Sequence, residues 1–300
     1  MTSFIDQAWR FIRLSRLIFL IGGILSYALG AAIAFSLGAD CDAYSYIIGQ
    51  VSVTSIQLMA HYLNEYADIQ VDSLLDSDNR TWFSGGSGLS GEKGVSATTI
   101  LLAARICGLF AAVFGILSCI QSAWMIPIIG LSFLGSWFYS SKPVALMSTG
   151  WGELTTSVIV ALFVPLAGYV MQSGFPSLDF WLITLPLVPV QMAMLIAFEI
   201  PDYAADRMVG KRTLTVRLGL NNTARLVAGL LTLSFLFIAS MTLFSDYPGK
   251  WMIFALPLAA WQIYIITRVI QAPTKFRYHL LTTVGVVIFI LMLLINLWVI

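Results

Sequence analysis

Charged residues are scarce in this chain of 300 residues, and their scarcity excludes a large class of proteins. Asp, Glu, Lys and Arg together make up 10% of the residues, whereas hydrophobic residues make up 59%. A soluble domain carries about a quarter charged residues, so this chain could not cover a water-facing surface of its own. The composition therefore predicts a membrane protein.

Cysteine and histidine are also scarce. The three cysteines (Cys41, Cys107 and Cys119) are scattered, which excludes a disulfide framework and a cysteine metal site. The two histidines, His61 and His279, are too few and too far apart for a histidine metal site. A net charge of +1 gives no general attraction to nucleic acid, so we expect no nucleic-acid partner.

Long hydrophobic runs, by contrast, fill the sequence. Runs long enough to cross a bilayer as helices lie at residues 17–37, 44–63, 97–120, 123–140, 154–172, 180–198, 222–244, 251–270 and 279–299. The ten-residue alternation of an outer-membrane strand is absent. We therefore predict an all-α polytopic protein, with nine transmembrane helices around a central cavity that opens to the cytoplasmic side. Residues 1–300 form a single domain in this prediction.

The basic residues predict the orientation in the membrane. With nine spans, all of the 16 Lys and Arg residues except Lys250 fall on one side or at the adjacent helix ends. Short loops rich in Lys and Arg stay in the cytoplasm. We expect an integral protein of the inner or plasma membrane, surrounded by lipid, with a cytoplasmic N-terminus and an external C-terminus.

The first group of acidic residues follows the second predicted helix. Asn64, Asp68, Asp72 and Asp76 are spaced four apart, which places them on one face of a helix. Like charges at this spacing repel each other. The face is therefore either solvated or the binding site of a cation.

The second group follows the sixth predicted helix, on the same side of the membrane. Asp202 and Asp206 are again four apart. Mg²⁺ prefers oxygen ligands and is usually held by one or two carboxylates together with substrate phosphates. Basic residues in loops on the same side of the membrane suit a diphosphate; they are Arg80, Lys142, Lys211 and Arg212. The alternatives are solvated helix ends, a cation-coupled transporter and an inactive scaffold.

These motifs resemble the UbiA superfamily of intramembrane prenyltransferases. The pattern N-x-x-x-D-x-x-x-D occupies residues 64–72, and D-x-x-x-D occupies residues 202–206. The longer strings at 84–88, 150–154 and 200–219 are similar to the branch that prenylates 1,4-dihydroxy-2-naphthoate in menaquinone synthesis. Two positions depart from the relatives. Glu65 stands where many have Asp, and Phe198-Glu199 stands where the naphthoate branch often has two Asn.

The resemblance implies a reaction and a site. Asn64, Asp68 and Asp72 would hold one Mg²⁺, and Asp202 and Asp206 a second, between the protein and the diphosphate of a polyprenyl donor. Arg80, Lys142, Lys211 and Arg212 would neutralise the remaining oxygens. An aromatic acceptor then attacks C1 of the prenyl group, and the naphthoate loses CO₂. The alternative acceptors are 4-hydroxybenzoate, homogentisate or a non-quinone lipid.

Overall fold

The computed structural model of the chain describes residues 4–72, 81–84, 89 and 94–300, with residues 4–8 and 70–72 described by their backbone alone. The regular elements of this part are helices: α1 (Phe4–Leu14), α2 (Leu17–Ser36), α3 (Ala43–Asp72), α4 (Ala97–Gln121), α5 (Met125–Ser140), α6 (Gly152–Val158), α7 (Val164–Ser173), α8 (Leu178–Thr184), α9 (Leu187–Glu199), α10 (Tyr203–Met208), α11 (Leu214–Phe244), α12 (Leu256–Gln271) and α13 (Lys275–Val299). The predicted all-α class is confirmed.

Seven helical segments of the described residues are long and apolar enough to cross a bilayer. Some of them join two helices, such as α6 with α7 and α8 with α9. The second predicted span corresponds to α3, which has 30 residues. The fourth corresponds to α5, a shorter apolar helix of 16 residues. The membrane character is therefore confirmed, whereas the number of nine spans stays a prediction.

Two breaks within these segments have local causes. Between α6 and α7 the chain forms a π-helical turn, Ile159–Phe163, just before Pro165. Proline has no backbone N–H and disturbs the hydrogen bonds of the preceding turn. In α11, Gly219 adopts φ 71° and ψ 158°, a conformation that favours glycine. This break separates residues 214–218 from the long apolar part of α11.

Packing of the helices brings distant segments of the chain together. α3 packs on α4 and α5, α2 packs on α7, and α9 packs on α6, α11 and α13. A methyl group added to Gly30 of α2 would overlap the carbonyl of Pro165, so these two backbones are in close contact. Small residues allow such close approach between membrane helices. Within this bundle, Asp68 of α3 lies at the same cavity as Asp202, directly before the short helix α10 that follows α9, and Asp206, within α10.

Candidate active site

A cavity of about 310 Å³ lies between α2, α3, α5, α6, α9 and α13. We call this cavity the chamber. Much of its wall is apolar, with residues such as Ile56, Ile128, Phe163, Met194 and Phe289. The remaining wall is polar and includes Asn64, Asp68, Asp202, Asp206 and Lys211. The chamber therefore joins a region suited to hydrocarbon with a region suited to a charged group.

Lys211 connects the two aspartate motifs. Its Nζ donates a hydrogen bond to Asp68 Oδ1 at 2.7 Å and lies 3.6 Å from Asp206 Oδ1. The three side chains are 8–15% exposed. Asp68 and Lys211 are 143 residues apart in the sequence. The fold thus joins the two motifs, as their position on one predicted face of the membrane suggested.

Local backbone structure directs Lys211 to this position. Asp202 and Asp206 flank the first turn of the short helix α10, in which the Asp206 N–H donates to the Asp202 carbonyl at 2.9 Å. Gly210 then turns the chain with φ 78°, which glycine adopts readily. The Lys211 N–H donates back to the Asp206 carbonyl at 2.9 Å. The D-x-x-x-D motif and its lysine therefore form one compact unit.

Burial and charge act together on this unit. Burial raises the pKa of the Asp206 carboxyl, and the nearby Asp68 adds to this rise, while the Lys211 ammonium partly offsets it. Burial alone would lower the pKa of Lys211, but the carboxylates of Asp68 and Asp206 outweigh it, so the pKa is raised. Lys211 therefore remains a cation between the carboxylates of Asp68 and Asp206.

The predicted Mg²⁺ site requires oxygen ligands in the chamber wall. Among the described residues, no three His, Cys, Asp or Glu side chains are placed to hold a metal ion on their own. Mg²⁺, however, commonly uses one or two protein carboxylates and completes its shell with water and substrate phosphate. Asp68 from α3 and the pair Asp202 and Asp206 supply such hard oxygen ligands in the polar wall. The donor set fits Mg²⁺ bound jointly with a diphosphate.

Some predicted residues lie elsewhere or outside the described part. Lys142 and Arg212 are exposed and are not part of the chamber wall. Asp72 is the last residue of α3, and its side chain is not described. Residues outside the described part include Asp76, Arg80 and the glycine-rich stretch 85–88. Asn64 does line the chamber, where its Oδ1 accepts a hydrogen bond from Ser140 Oγ at 3.5 Å.

Three further acidic residues at the site were not predicted as functional. Glu65 is buried and forms an ion pair with Arg16, which lines the chamber. Glu153 is buried at the start of α6, where it accepts the backbone N–H of Leu214 at 2.9 Å, and Glu199, at the end of α9, accepts that of Thr215 at 3.3 Å. Glu153 lies in the string at 150–154 that resembles the naphthoate branch. The packing of α6 against α9 brings both glutamates to the start of α11.

Aromatic rings form another part of the wall. The rings of Phe83 and Phe198 are stacked, with centroids 5.6 Å apart and planes at 9°. Phe19 meets both rings edge to face, at 5.9 and 6.0 Å. All three residues line the chamber. Aromatic faces stabilise nearby positive charge, so this cluster offers an environment for a cation that carries no hydrogen-bond donor.

Sequence comparison identifies relatives of the chain. The profile of the UbiA prenyltransferase family matches residues 17–279. The chain is 23% identical over 189 residues to 1,4-dihydroxy-2-naphthoate octaprenyltransferase of Bacillus subtilis (strain 168), a match of 63% of this chain and 59% of that protein. It thus spans less than two thirds of that relative. It is 24% identical over 226 residues to UbiA prenyltransferase domain-containing protein 1 of Dictyostelium discoideum, covering 74% of this chain and 68% of that protein.

Solved structures share the fold at low sequence identity. A digeranylgeranylglyceryl phosphate synthase superposes with a TM-score of 0.63 at 15% identity, and the match covers 98% of both chains. A UbiA homolog from Archaeoglobus fulgidus bound to GPP and Mg²⁺ gives a TM-score of 0.62 at 17% identity, covering 97% of this chain and 99% of that chain. The arrangement of helices around the chamber is therefore a fold that solved structures share.

Proposed function

Because the chain belongs to the UbiA prenyltransferase family, we propose that it transfers a polyprenyl group from an isoprenyl diphosphate to an aromatic acceptor, with Mg²⁺ as cofactor. The proposed acceptor is 1,4-dihydroxy-2-naphthoate. The observation that carries this proposal is the convergence of both aspartate motifs on Lys211 in the wall of a largely apolar chamber.

The polar wall would bind the diphosphate of the donor. Asn64, Asp68 and Asp72 would hold one Mg²⁺, and Asp202 and Asp206 a second. When bound, Mg²⁺ offsets negative charge that develops on the departing diphosphate oxygen. Lys211 donates hydrogen bonds to the same leaving group. Arg80, Lys142 and Arg212 are proposed to contact the remaining diphosphate oxygens from the surrounding loops.

The apolar wall would receive the prenyl group. Its residues from α2 and α13 include Ile18, Phe289 and Ile290, whose side chains are apolar. Transfer of such a tail from water to an apolar wall is favourable by about 25 cal/mol per Å². As the C–O bond breaks, the rings of Phe19, Phe83 and Phe198 would stabilise the allylic cation at C1 through their faces.

The acceptor completes the reaction. An electron-rich ring carbon attacks C1, a C–C bond replaces the C–O bond, and the naphthoate ring then loses CO₂. The name of the Bacillus subtilis relative supports the naphthoate, as does the resemblance of residues 200–219. The benzenoid acids 4-hydroxybenzoate and homogentisate, and non-quinone lipids, are the alternative acceptors.

The mass of the prenylated product identifies the acceptor. Purified protein in lipid nanodiscs is incubated with Mg²⁺, labelled geranylgeranyl diphosphate and each acceptor in turn. We expect a prenylated product from 1,4-dihydroxy-2-naphthoate with the mass of one CO₂ lost. Product from 4-hydroxybenzoate or homogentisate, and none from the naphthoate, would refute this acceptor while leaving prenyl transfer intact.

A further inference from the structure

Arg16 places a guanidinium group in the wall of the chamber and belongs to neither aspartate motif. It lies between α1 and α2, directly before the first residue of α2. Its side chain is 19% exposed, and it lines the same chamber as Asp68, Asp202 and Asp206. The match to the family profile begins at residue 17, so Arg16 lies outside the matched residues. The donor chemistry described above leaves this cation without a role.

The turn that carries Arg16 is fixed to α3 at several points. Arg16 adopts φ 49° and ψ 54°, a left-handed conformation that is uncommon for a residue other than glycine. The hydroxyl groups of Ser15 and Tyr62 share a hydrogen bond at 2.7 Å, and His61 Nδ1 lies 3.3 Å from the Ser15 carbonyl oxygen. Arg16 Nη2 forms an ion pair with Glu65 Oε1 at 2.5 Å. Strained backbone of this kind persists where the surroundings fix it, and it is common where ligands bind.

Stability alone does not account for the ion pair of Arg16 with Glu65. The Glu65 side chain is 0% exposed and is not part of the chamber wall, so a ligand in the chamber contacts Arg16 instead. A buried ion pair is often no more stabilising than apolar side chains of similar size. A guanidinium carries five N–H donors, and one carboxylate accepts two of them in a bidentate pair. Glu65 therefore orients Arg16 and leaves donors for a second anion.

Charge distinguishes Arg16 from the rest of the polar wall. Among the described residues, the acids of the wall are Asp68, Glu153, Glu199, Asp202 and Asp206. In the same part of the chain, the Lys and Arg residues of the wall are Arg16 and Lys211. Lys211 lies between Asp68 and Asp206, on the side assigned to the diphosphate. A second anion in the chamber is therefore repelled by the acids and attracted to Arg16.

Arg16 also lies next to the aromatic cluster. Its Cζ is 6.0 Å from the centre of the Phe19 ring, and Phe19 meets the rings of Phe83 and Phe198 at 5.9 and 6.0 Å. In the proposed function these rings surround C1 of the prenyl group. A carboxylate contacts a guanidinium over about 2.7–2.9 Å, and in an aromatic acid it is attached to the ring. An acid held by Arg16 therefore presents its ring at the aromatic cluster, beside C1.

We propose that Arg16, oriented by Glu65, binds the carboxylate of the acceptor. This inference rests on the proposed function and assigns the acceptor side of the same chamber. It defines the acceptor class as an aromatic ring that carries a carboxylate on or near the carbon that is alkylated. Arg16 is thus a residue that determines which acceptor is used.

The same contact explains how the product leaves. After C1 has bonded to the ring carbon, the bond from that carbon to the carboxylate breaks, its electron pair restores the aromatic ring, and CO₂ departs. The prenylated ring then lacks the charge that Arg16 held. Arg16 keeps its ion pair with Glu65, so the loss of CO₂ weakens binding of the product without leaving a buried charge unpaired.

The test compares one acceptor with and without its carboxylate. Wild type, Arg16→Gln and Arg16→Lys, in lipid nanodiscs with Mg²⁺ and saturating labelled geranylgeranyl diphosphate, are assayed in the absence of oxygen. Transfer is measured against the concentration of 1,4-dihydroxy-2-naphthoate and of 1,4-dihydroxynaphthalene, which lacks the carboxylate. If a benzenoid acid is the acceptor that reacts, that acid and its decarboxylated phenol replace this pair.

Two controls accompany the assay. Binding of geranylgeranyl thiolodiphosphate, an unreactive donor analogue, is measured for each protein. Arg13→Gln is the matched variant, because Arg13 lies three residues before Arg16, is exposed and is not part of the chamber wall.

We expect Arg16→Gln to lower kcat/KM for the naphthoate about 10–100-fold, the effect of losing a hydrogen bond between charged groups, mainly through a higher KM. Its kcat/KM for dihydroxynaphthalene and its affinity for the donor analogue should stay within about threefold of the wild type. Arg16→Lys keeps the charge without the planar fork and should recover part of the loss. The wild type should favour the naphthoate at least about tenfold, and Arg13→Gln should match the wild type.

An unchanged kcat/KM in Arg16→Gln, or an equal loss for both acceptors, would overturn the inference. A parallel loss of donor-analogue binding would overturn it in favour of a diphosphate contact. If neither Arg16 variant folds, the wild type decides: preference for the naphthoate supports the inference, and equal kcat/KM for the two acceptors overturns it. A wild-type protein that binds no donor analogue and prenylates no acceptor would instead refute the proposed function.

Discussion

The contact between Lys211 and Asp68 makes a prediction that does not depend on catalysis. Lys211→Met removes the ammonium that lies 2.7 Å from Asp68 Oδ1 and 3.6 Å from Asp206 Oδ1. At an effective dielectric constant of about 20, attraction over the shorter distance is about 6 kcal/mol. Desolvation of both groups and ordering of the side chains offset most of it. We therefore expect a coupling free energy between Lys211 and Asp68 of about 1–3 kcal/mol.

A double-mutant cycle measures this coupling. The free energy of unfolding is determined by denaturant titration in mixed micelles with a chelator for the wild type, Lys211→Met, Asp68→Asn and the double variant. The exposed pair Lys250 and Asp246, at 3.0 Å, provides a matched cycle in which we expect less than about 0.5 kcal/mol. Additive effects of the Lys211 and Asp68 changes, within about 0.5 kcal/mol, would show that the two motifs are not joined in this way.

Four other predictions concern the site, the metal, the packing and the orientation. Asp68→Asn and Asp202→Asn should each lower prenyl transfer about 10²-fold or more, comparable with loss of one strong electrostatic contact, whereas Asp40→Asn, at an exposed position, should leave it unchanged; equal rates in all three variants would remove the aspartates from the reaction. A chelator should abolish transfer and Mg²⁺ should restore it, so a rate that persists in chelator would contradict the metal requirement. Gly30→Leu should lower the free energy of unfolding by at least about 1–3 kcal/mol, because the added side chain would overlap the Pro165 carbonyl; thermal unfolding equal to that of the wild type would rule out this contact. Reporter fusions should place the N-terminus in the cytoplasm and the C-terminus outside, and a cytoplasmic C-terminus would contradict the nine-span topology.

Local patterns were sufficient to predict the helices and the aspartate motifs. The length of an apolar run indicates whether a helix can span the membrane. Acids spaced four apart lie on one face of a helix. Helix ends were harder to predict, as α11 shows. Its predicted apolar run begins at residue 222, but the helix begins at Leu214, because a more polar turn precedes the break at Gly219.

Contacts between distant helices could not be predicted in the same way. Glu153 and Glu199 both reach the start of α11 because α6 packs against α9. The ion pair of Arg16 with Glu65 depends on the packing of α2 against α3. Lys142 follows α5, where the chain turns and its side chain is exposed. Its contact with a diphosphate therefore stays a prediction.

Proteoliposomes that carry the purified protein test the central claim most directly, because prenyl transfer and ion flux can be measured on one preparation. The liposomes receive labelled geranylgeranyl diphosphate, Mg²⁺ and 1,4-dihydroxy-2-naphthoate. We expect a labelled lipid-soluble product with the mass of the prenylated, decarboxylated ring, one diphosphate released for each product formed, and no cation flux above that of empty liposomes. Cation flux that depends on the protein, with no prenylated product, would contradict the account and favour a transporter.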